Sequence, residues 1–147
     1  MKDLVPMGEI TLTGDTLRYI SLFEKITGTQ VKDCLETEEK LVFVVEKNQG
    51  SRAVGKKGEN VIRLKNLTGK NIHVIEYSED PETFVKNVFH TYSVQSVALE
   101  DRGTIIHATV TVDPKVKGKA IGKNGRNLRI AREIVSRHHN IQSISVA

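Results

Sequence analysis

Apolar positions recur along this chain with two periods, and the succession of those periods outlines two similar halves. After Gly14-Asp15-Thr16, Leu17, Ile20, Phe23 and Ile26 lie near one face of a helix, and Gly28 stands where a helix-ending glycine belongs. Thr29–Thr37 reads as a strand and Glu38-Glu39 as an acidic turn. The β-branched run Leu41-Val42-Phe43-Val44-Val45 is short enough for a buried strand. A turn framed by Gly55 and Gly58 leads into a helix carrying Val61, Leu64 and Leu67. Thr68-Gly69 ends that helix, and Ile72-His73-Val74-Ile75 reads as a last strand.

The second half repeats the plan. Asp80 can cap a helix, Pro81 suits its first position, and Glu82 favours the positive end of its dipole. Phe84, Val85, Val88 and Phe89 form the apolar stripe. Val94–Leu99 reads as a strand, Asp101-Arg102-Gly103 as a turn, and Thr104–Val112 as a second strand. In that strand Ile106, Ala108, Val110 and Val112 alternate with His107, Thr109 and Thr111, the period of a sheet with one covered face. A turn framed by Gly122 and Gly125 precedes a helix with Leu128, Ala131, Ile134 and Val135 on its core side, and Ile141–Val146 is the final strand. Each half therefore reads helix–strand–strand–helix–turn–helix–strand. The expected domains are 1–78, with a short N-terminal lead, and 79–147. The join near Ser78-Glu79-Asp80 is too short for a loose tether, so rigid packing of the halves is expected.

The strongest signal is a duplication. Ala53-Val54-Gly55-Lys56-Lys57-Gly58-Glu59-Asn60-Val61 returns sixty-seven positions later as Ala120-Ile121-Gly122-Lys123-Asn124-Gly125-Arg126-Asn127-Leu128. The alanine, both glycines, the lysine and the asparagine are identical, and Val54 with Ile121 and Val61 with Leu128 are matched apolar residues. This chemistry suits a phosphodiester backbone. Glycines at both shoulders remove the Cβ atoms that would hold a strand away. The helix that follows presents amide N–H groups and a positive dipole end. Lys56, Lys57, Lys123 and Arg126 add mobile positive charge, while Asn124 keeps polarity in place of Lys57. Arg63, Lys65, Arg129 and Arg132 widen the field or serve as solvated helix charges. The flanking Val54, Val61, Ile121 and Leu128 anchor the core first and floor a groove for bases second.

Charge distribution sharpens this reading. The net charge of +4 conceals two basic windows, 47–70 and 114–140, that hold 15 of the 22 Lys and Arg but only Glu59 and Glu133 of the 18 acids. Concentrated charge of this kind draws a polyanion to one region. With 38% hydrophobic residues the chain can fold, no apolar run approaches the length of a membrane span, and no signal-peptide pattern opens it. Cys34 has no partner cysteine or nearby histidine and reads as a structural thiol in a reducing cytoplasm.

Other chemistries fit poorly. Gly50-Ser51-Arg52-Ala53-Val54-Gly55-Lys56-Lys57 imitates a nucleotide-binding P-loop, but Lys57 replaces the Ser or Thr that ligates magnesium and Lys117 replaces the first glycine in the second copy. His138-His139 lacks Cys or carboxylate partners at zinc spacing and reads as a helix-ending pair, and His73, His90 and His107 are isolated. Seven aromatic residues form no stacking motif of the RRM kind. No nucleophile elbow, paired carboxylates or cofactor fingerprint is present, so no enzyme, metal site or cofactor is expected.

Val54-Gly55-x-x-Gly58-x-x-Val61-x-x-Leu64, then Thr68-Gly69 and Ile72-x-Val74, resembles the core of a KH domain, as does Ile121-Gly122-x-x-Gly125-x-x-Leu128. The helix and two strands ahead of the turn resemble the prokaryotic, type II form. The second copy departs at its helix end, where Ser136-Arg137-His138-His139-Asn140 replaces Thr-Gly. Two such units filling about 14–147 resemble the archaeal NusA-like transcription termination and elongation factors. The resemblance implies an α+β fold of two tandem domains, each a three-stranded sheet covered by helices on one face. It also implies a continuous single-stranded RNA surface with Gly55, Lys56, Lys57, Gly58, Gly122, Lys123, Asn124, Gly125 and Arg126 as RNA-binding residues. A KH turn holds about four nucleotides, so a rigid pair would track about eight. The RNA polymerase elongation complex is the implied partner, and a ribosome-associated KH protein is the alternative.

Overall fold

The computed structural model describes residues 14–147; the opening of the chain, with the short lead assigned to the first domain, lies outside the described residues. The described chain divides into two compact units between Ser78 and Glu79. The first runs α1 (Gly14–Thr27), β1 (Val31–Glu36), β2 (Lys40–Val45), α2 (Gly50–Val54), α3 (Glu59–Thr68) and β3 (Asn71–Glu76). The second runs α4 (Pro81–Val88), β4 (Val94–Asp101), β5 (Ile106–Val112), α5 (Lys117–Ile121), α6 (Arg126–His138) and β6 (Ser143–Val146). The α+β architecture and the helix–strand–strand–helix–helix–strand order are those expected.

Connection lengths dictate the sheets. A tight turn joins β1 to β2 and makes them antiparallel, with Cys34 opposite Phe43. The crossover through α2 and α3 returns β3 parallel to β2, with Phe43 opposite Val74. The same logic places β4 antiparallel and β6 parallel to β5, with Val110 paired to both Val97 and Val146.

In the first unit Phe23, Cys34, Leu41, Phe43, Val45, Ala53, Leu64 and Val74 form one buried cluster. Phe23 stacks on Phe43 with ring centroids 4.1 Å apart. Val42 and Val44, on the other face of β2, are also fully buried, which explains a continuous apolar run where a half-covered strand would alternate. In the second unit Phe84, Val85, Val88 and Phe89 are buried, together with Val97, Ala108, Val110, Val112, Ala131, Ile134 and Val135. There Thr109 and Thr111 stay partly exposed, and alternation survives. His107 is buried on their side of β5, and its ring nitrogens meet Ser143 Oγ at 2.5 Å and Ser145 Oγ at 2.9 Å. The histidine isolated in sequence is thus satisfied by two hydroxyls of the neighbouring strand.

Several expectations are corrected, and the strands expected from Thr104 and Ile141 begin at Ile106 and Ser143. Leu17 and Leu67 are 52% and 58% exposed, not core residues. A strict three-residue spacing slips about 60° per step around a helix, so the ends of such a series leave the buried face. In α3 the position four after Leu64 turns inward instead, and Thr68 Oγ1 donates to the Leu64 carbonyl at 2.8 Å. The strand expected from Thr29 begins at Val31, because Thr29 N donates to Thr27 Oγ1 at 3.2 Å rather than to a ladder partner.

The expected cap is present: Asp80 accepts from Thr83 N at 3.1 Å and from Thr83 Oγ1 at 2.6 Å, with Pro81 at the helix start. The Thr83 hydroxyl, then its amide, hold the Asp80 carboxyl below its ordinary pKa. Among the described residues no helix is long and apolar enough to cross a membrane, and no group of three His, Cys, Asp or Glu side chains could hold a metal.

Candidate nucleic-acid interface

Each duplicated turn is built between a one-turn helix and a longer one. Glu76 Oε1 accepts from Gly50 N at 3.1 Å where α2 begins, and Asp113 Oδ1 accepts from Lys115 N at 2.9 Å just before α5. Ala53 and Ala120 are fully buried, pinning both short helices to their cores. Gly55 then takes φ 84°, ψ 167°, and Gly122 takes φ 82°, ψ 164°. That region is essentially closed to residues with a Cβ. A Cβ would also stand 2.9 Å from Asn60 Nδ2 at Gly55 and 2.8 Å from Asn127 N at Gly122.

The third positions, Lys57 (φ 56°, ψ 26°) and Asn124 (φ 57°, ψ 27°), are both left-handed. Gly58 (φ 73°, ψ 19°) and Gly125 (φ 73°, ψ 17°) continue that conformation and hand over to α3 and α6. The closing bonds repeat as well: Gly58 N to Gly55 O at 3.1 Å, and Gly125 N to Gly122 O at 3.0 Å. The two turns agree within a few degrees although their solvent-facing residues differ.

The identical asparagine acts as a brace, a role that its repetition alone did not reveal. Asn60 Nδ2 donates to the Arg52 carbonyl at 3.1 Å, and Asn127 Nδ2 donates to the Lys119 carbonyl at 2.8 Å. Each ties the first turn of the long helix to the end of the short one and holds the glycine turn between two fixed posts. Asn127 Nδ2 also lies 3.2 Å from the Tyr92 hydroxyl.

Lys56, Lys57, Lys123, Asn124 and Arg126 are all exposed around these turns. Among the described residues, and apart from its chain neighbours, no atom lies within 4 Å of the place a Gly58 Cβ would take. Neither α3 nor α6 has a side-chain cap at its start, so each directs an uncapped positive dipole end at its turn. Glu59 partly offsets that field in the first turn of α3, whereas the first turn of α6 has no acid. Arg63, Lys65 and Arg129 are exposed, and Arg132 is partly buried.

Two residues of the basic windows are spent on structure. Lys70 Nζ donates to the carbonyls of Thr37 and Glu38 at 2.7 and 3.0 Å and pairs with Glu36 at 3.2 Å. Arg137 pairs with Glu133 at 2.6 Å with its side chain only 6% exposed. The P-loop likeness has a geometric answer: residues 50–54 form a helical turn rather than an open phosphate loop. His138 and His139 do not diverge as neighbours on a helix would. The chain leaves α6 between them, His139 is extended, and both rings lie against Phe84, with centroids 5.6 and 5.3 Å away.

Sequence and fold both place the chain among known proteins. Residues 17–96 match the model of the KH domain family, and residues 81–147 match that of the NusA-like second KH domain. A probable transcription termination protein NusA of Thermoplasma acidophilum is 36% identical over 140 residues, covering 95% of this chain and 97% of that protein. Its namesake in Methanococcus vannielii is 38% identical over 137 residues, covering 93% and 79%. The crystal structure of APE1850 superposes with a TM-score of 0.72 at 35% identity, covering 92% of this chain and all of that one.

Proposed function

The chain belongs to the archaeal NusA-like family of KH-domain proteins, and from that premise we propose that it binds single-stranded RNA in the control of transcription termination and elongation. The RNA backbone is held at Gly55-Lys56-Lys57-Gly58 and at Gly122-Lys123-Asn124-Gly125-Arg126. The observation that carries this reading is the duplicated turn geometry. Two sequences differing at Lys57/Asn124 and Glu59/Arg126 adopt the same strained backbone, braced by the same asparagine. The bare glycine shoulder gives a phosphate room to approach, the helix dipole attracts it, and the exposed lysines neutralise it. The partner in the cell is the RNA polymerase elongation complex, in keeping with the relatives named as transcription termination proteins.

The test is fluorescence anisotropy with a labelled RNA of about 12 nucleotides, long enough for two clamps of about four nucleotides each. Wild type is expected to bind and to weaken linearly in log salt. The variant Lys56→Asp, Lys57→Asp, Lys123→Asp, Asn124→Asp is expected to lose binding while keeping its circular dichroism and melting temperature. Equal binding by that variant would reduce the glycine turns to ordinary helix connections.

A further inference from the structure

Beyond Lys57/Asn124 and Glu59/Arg126, the duplicated turns differ at a third position that changes what stands over the turn. Sixty-seven residues after Ile62 stands Arg129, one helical turn beyond the second glycine in each copy. Arg129 reaches back over its own turn: Nη1 donates to the Asn124 carbonyl at 2.5 Å and lies 3.5 Å from where a Gly125 Cβ would be. Ile62 makes no such return. It is 57% exposed, and among the described residues beyond the chain neighbours nothing lies within 4 Å of a Gly58 Cβ position.

An exposed isoleucine beside a basic turn is not placed there by the core, because Val61 and Leu64 supply the packing face of α3. A guanidinium anchored by one N–H keeps its remaining donors in a planar fork that matches two phosphate oxygens. The anchoring bond also removes part of the rotamer freedom that phosphate capture would otherwise cost. An apolar side chain offers a phosphate nothing, but it offers a contact surface to a base or ribose.

Resting on the RNA-binding reading above, we infer that the two clamps divide the labour of recognition. The second clamp grips backbone phosphate through the Arg129 fork, and the first reads the base or sugar through Ile62. Phosphate contacts position a strand, whereas contacts to bases distinguish its sequence. The second turn therefore contributes affinity that is salt-dependent and indifferent to sequence, and the first contributes preference among bases.

The experiment measures binding of labelled oligo-U, oligo-A and oligo-C RNA across a salt series, for wild type, Arg129→Ile, Arg129→Lys and Ile62→Arg. Arg129 and Ile62 are exposed, and melting curves check that the variants stay folded. Arg129→Ile is expected to lower the slope of log affinity against log salt by about one while keeping the ranking of the three RNAs. Arg129→Lys is expected to keep the slope but bind more weakly at each salt concentration, because the fork is gone. Ile62→Arg is expected to raise the slope by about one and to flatten the ranking. An unchanged slope in Arg129→Ile would overturn the division of labour and leave the RNA-binding reading standing. Tighter binding by Arg129→Ile would also overturn it, showing that the guanidinium occupies the phosphate's place. Wild type that binds none of the RNAs would overturn both readings.

Discussion

The turn at Gly55–Gly58 and the turn at Gly122–Gly125 have almost the same backbone, yet what surrounds them differs. The first carries Lys57, Glu59 and Ile62, where the second carries Asn124, Arg126 and Arg129. Apart from the exposed Lys56 and Lys123, what is identical between them serves the conformation. The first glycine fits a region that excludes a Cβ, and the asparagine bridges to the preceding helix. What varies points to solvent. Strain and bracing set the constant part of such a module, and the variable part is free to set charge and contact chemistry.

The largest test of this comparison separates the two glycines within each turn. Gly55→Ala and Gly122→Ala force a Cβ into a disallowed conformation and into contacts of 2.9 and 2.8 Å. Each is expected to destabilise its unit by about 3 kcal/mol. Among the described residues beyond the chain neighbours, Gly58→Ala meets no atom within 4 Å and Gly125→Ala meets Arg129 Nη1 at 3.5 Å, so each costs left-handed strain, about 1 kcal/mol. Their loss of RNA affinity should exceed their loss of stability, because the added methyl projects where the strand would lie. Equal melting temperatures for the Gly55 and Gly58 variants would break the distinction.

The asparagine brace comes next. Asn60→Ala and Asn127→Ala each remove a hydrogen bond to the preceding helix and should cost about 1 kcal/mol in denaturant unfolding. The second should cost more, because Asn127 also meets the Tyr92 hydroxyl. A neutral Asn60→Ala would show that the brace does not hold the turn.

The smallest effect exchanges the left-handed third residues. Asparagine tolerates φ near +57° better than lysine. Lys57→Asn should stabilise the first unit and Asn124→Lys destabilise the second, each by about 0.5 kcal/mol. Matched changes of opposite sign would show that the turns are interchangeable in backbone. Unequal changes would locate the difference in their surroundings, with Arg129 on the Asn124 carbonyl as the first candidate.

Much of the molecule was readable from local chemistry. The duplicated turn, the Asp80 cap, the Gly69 helix end and the alternating strand at Ile106–Val112 each depend on residues within a few positions of one another. Backbone preference, capping and burial period act over that range, so the pattern of residue types was enough to place them. The strand order follows almost as directly, since short turns and helical crossovers leave few alternatives.

Packing and side-chain reach decided the rest. Leu17 and Leu67 face solvent because helix phase is set by what packs beneath, through Phe23 and Leu64. Two of the basic residues turned out to be structural: Lys70 is claimed by carbonyls more than thirty residues earlier, and Arg137 by Glu133 one helical turn before it. His107 found its serines thirty-six and thirty-eight residues on. The return of Arg129 over its turn depends on side-chain reach rather than residue type. Spacing along a chain records which groups can be local neighbours, while hydrogen bonding and exposure belong to the folded surface, where strands paired by register bring remote positions into contact.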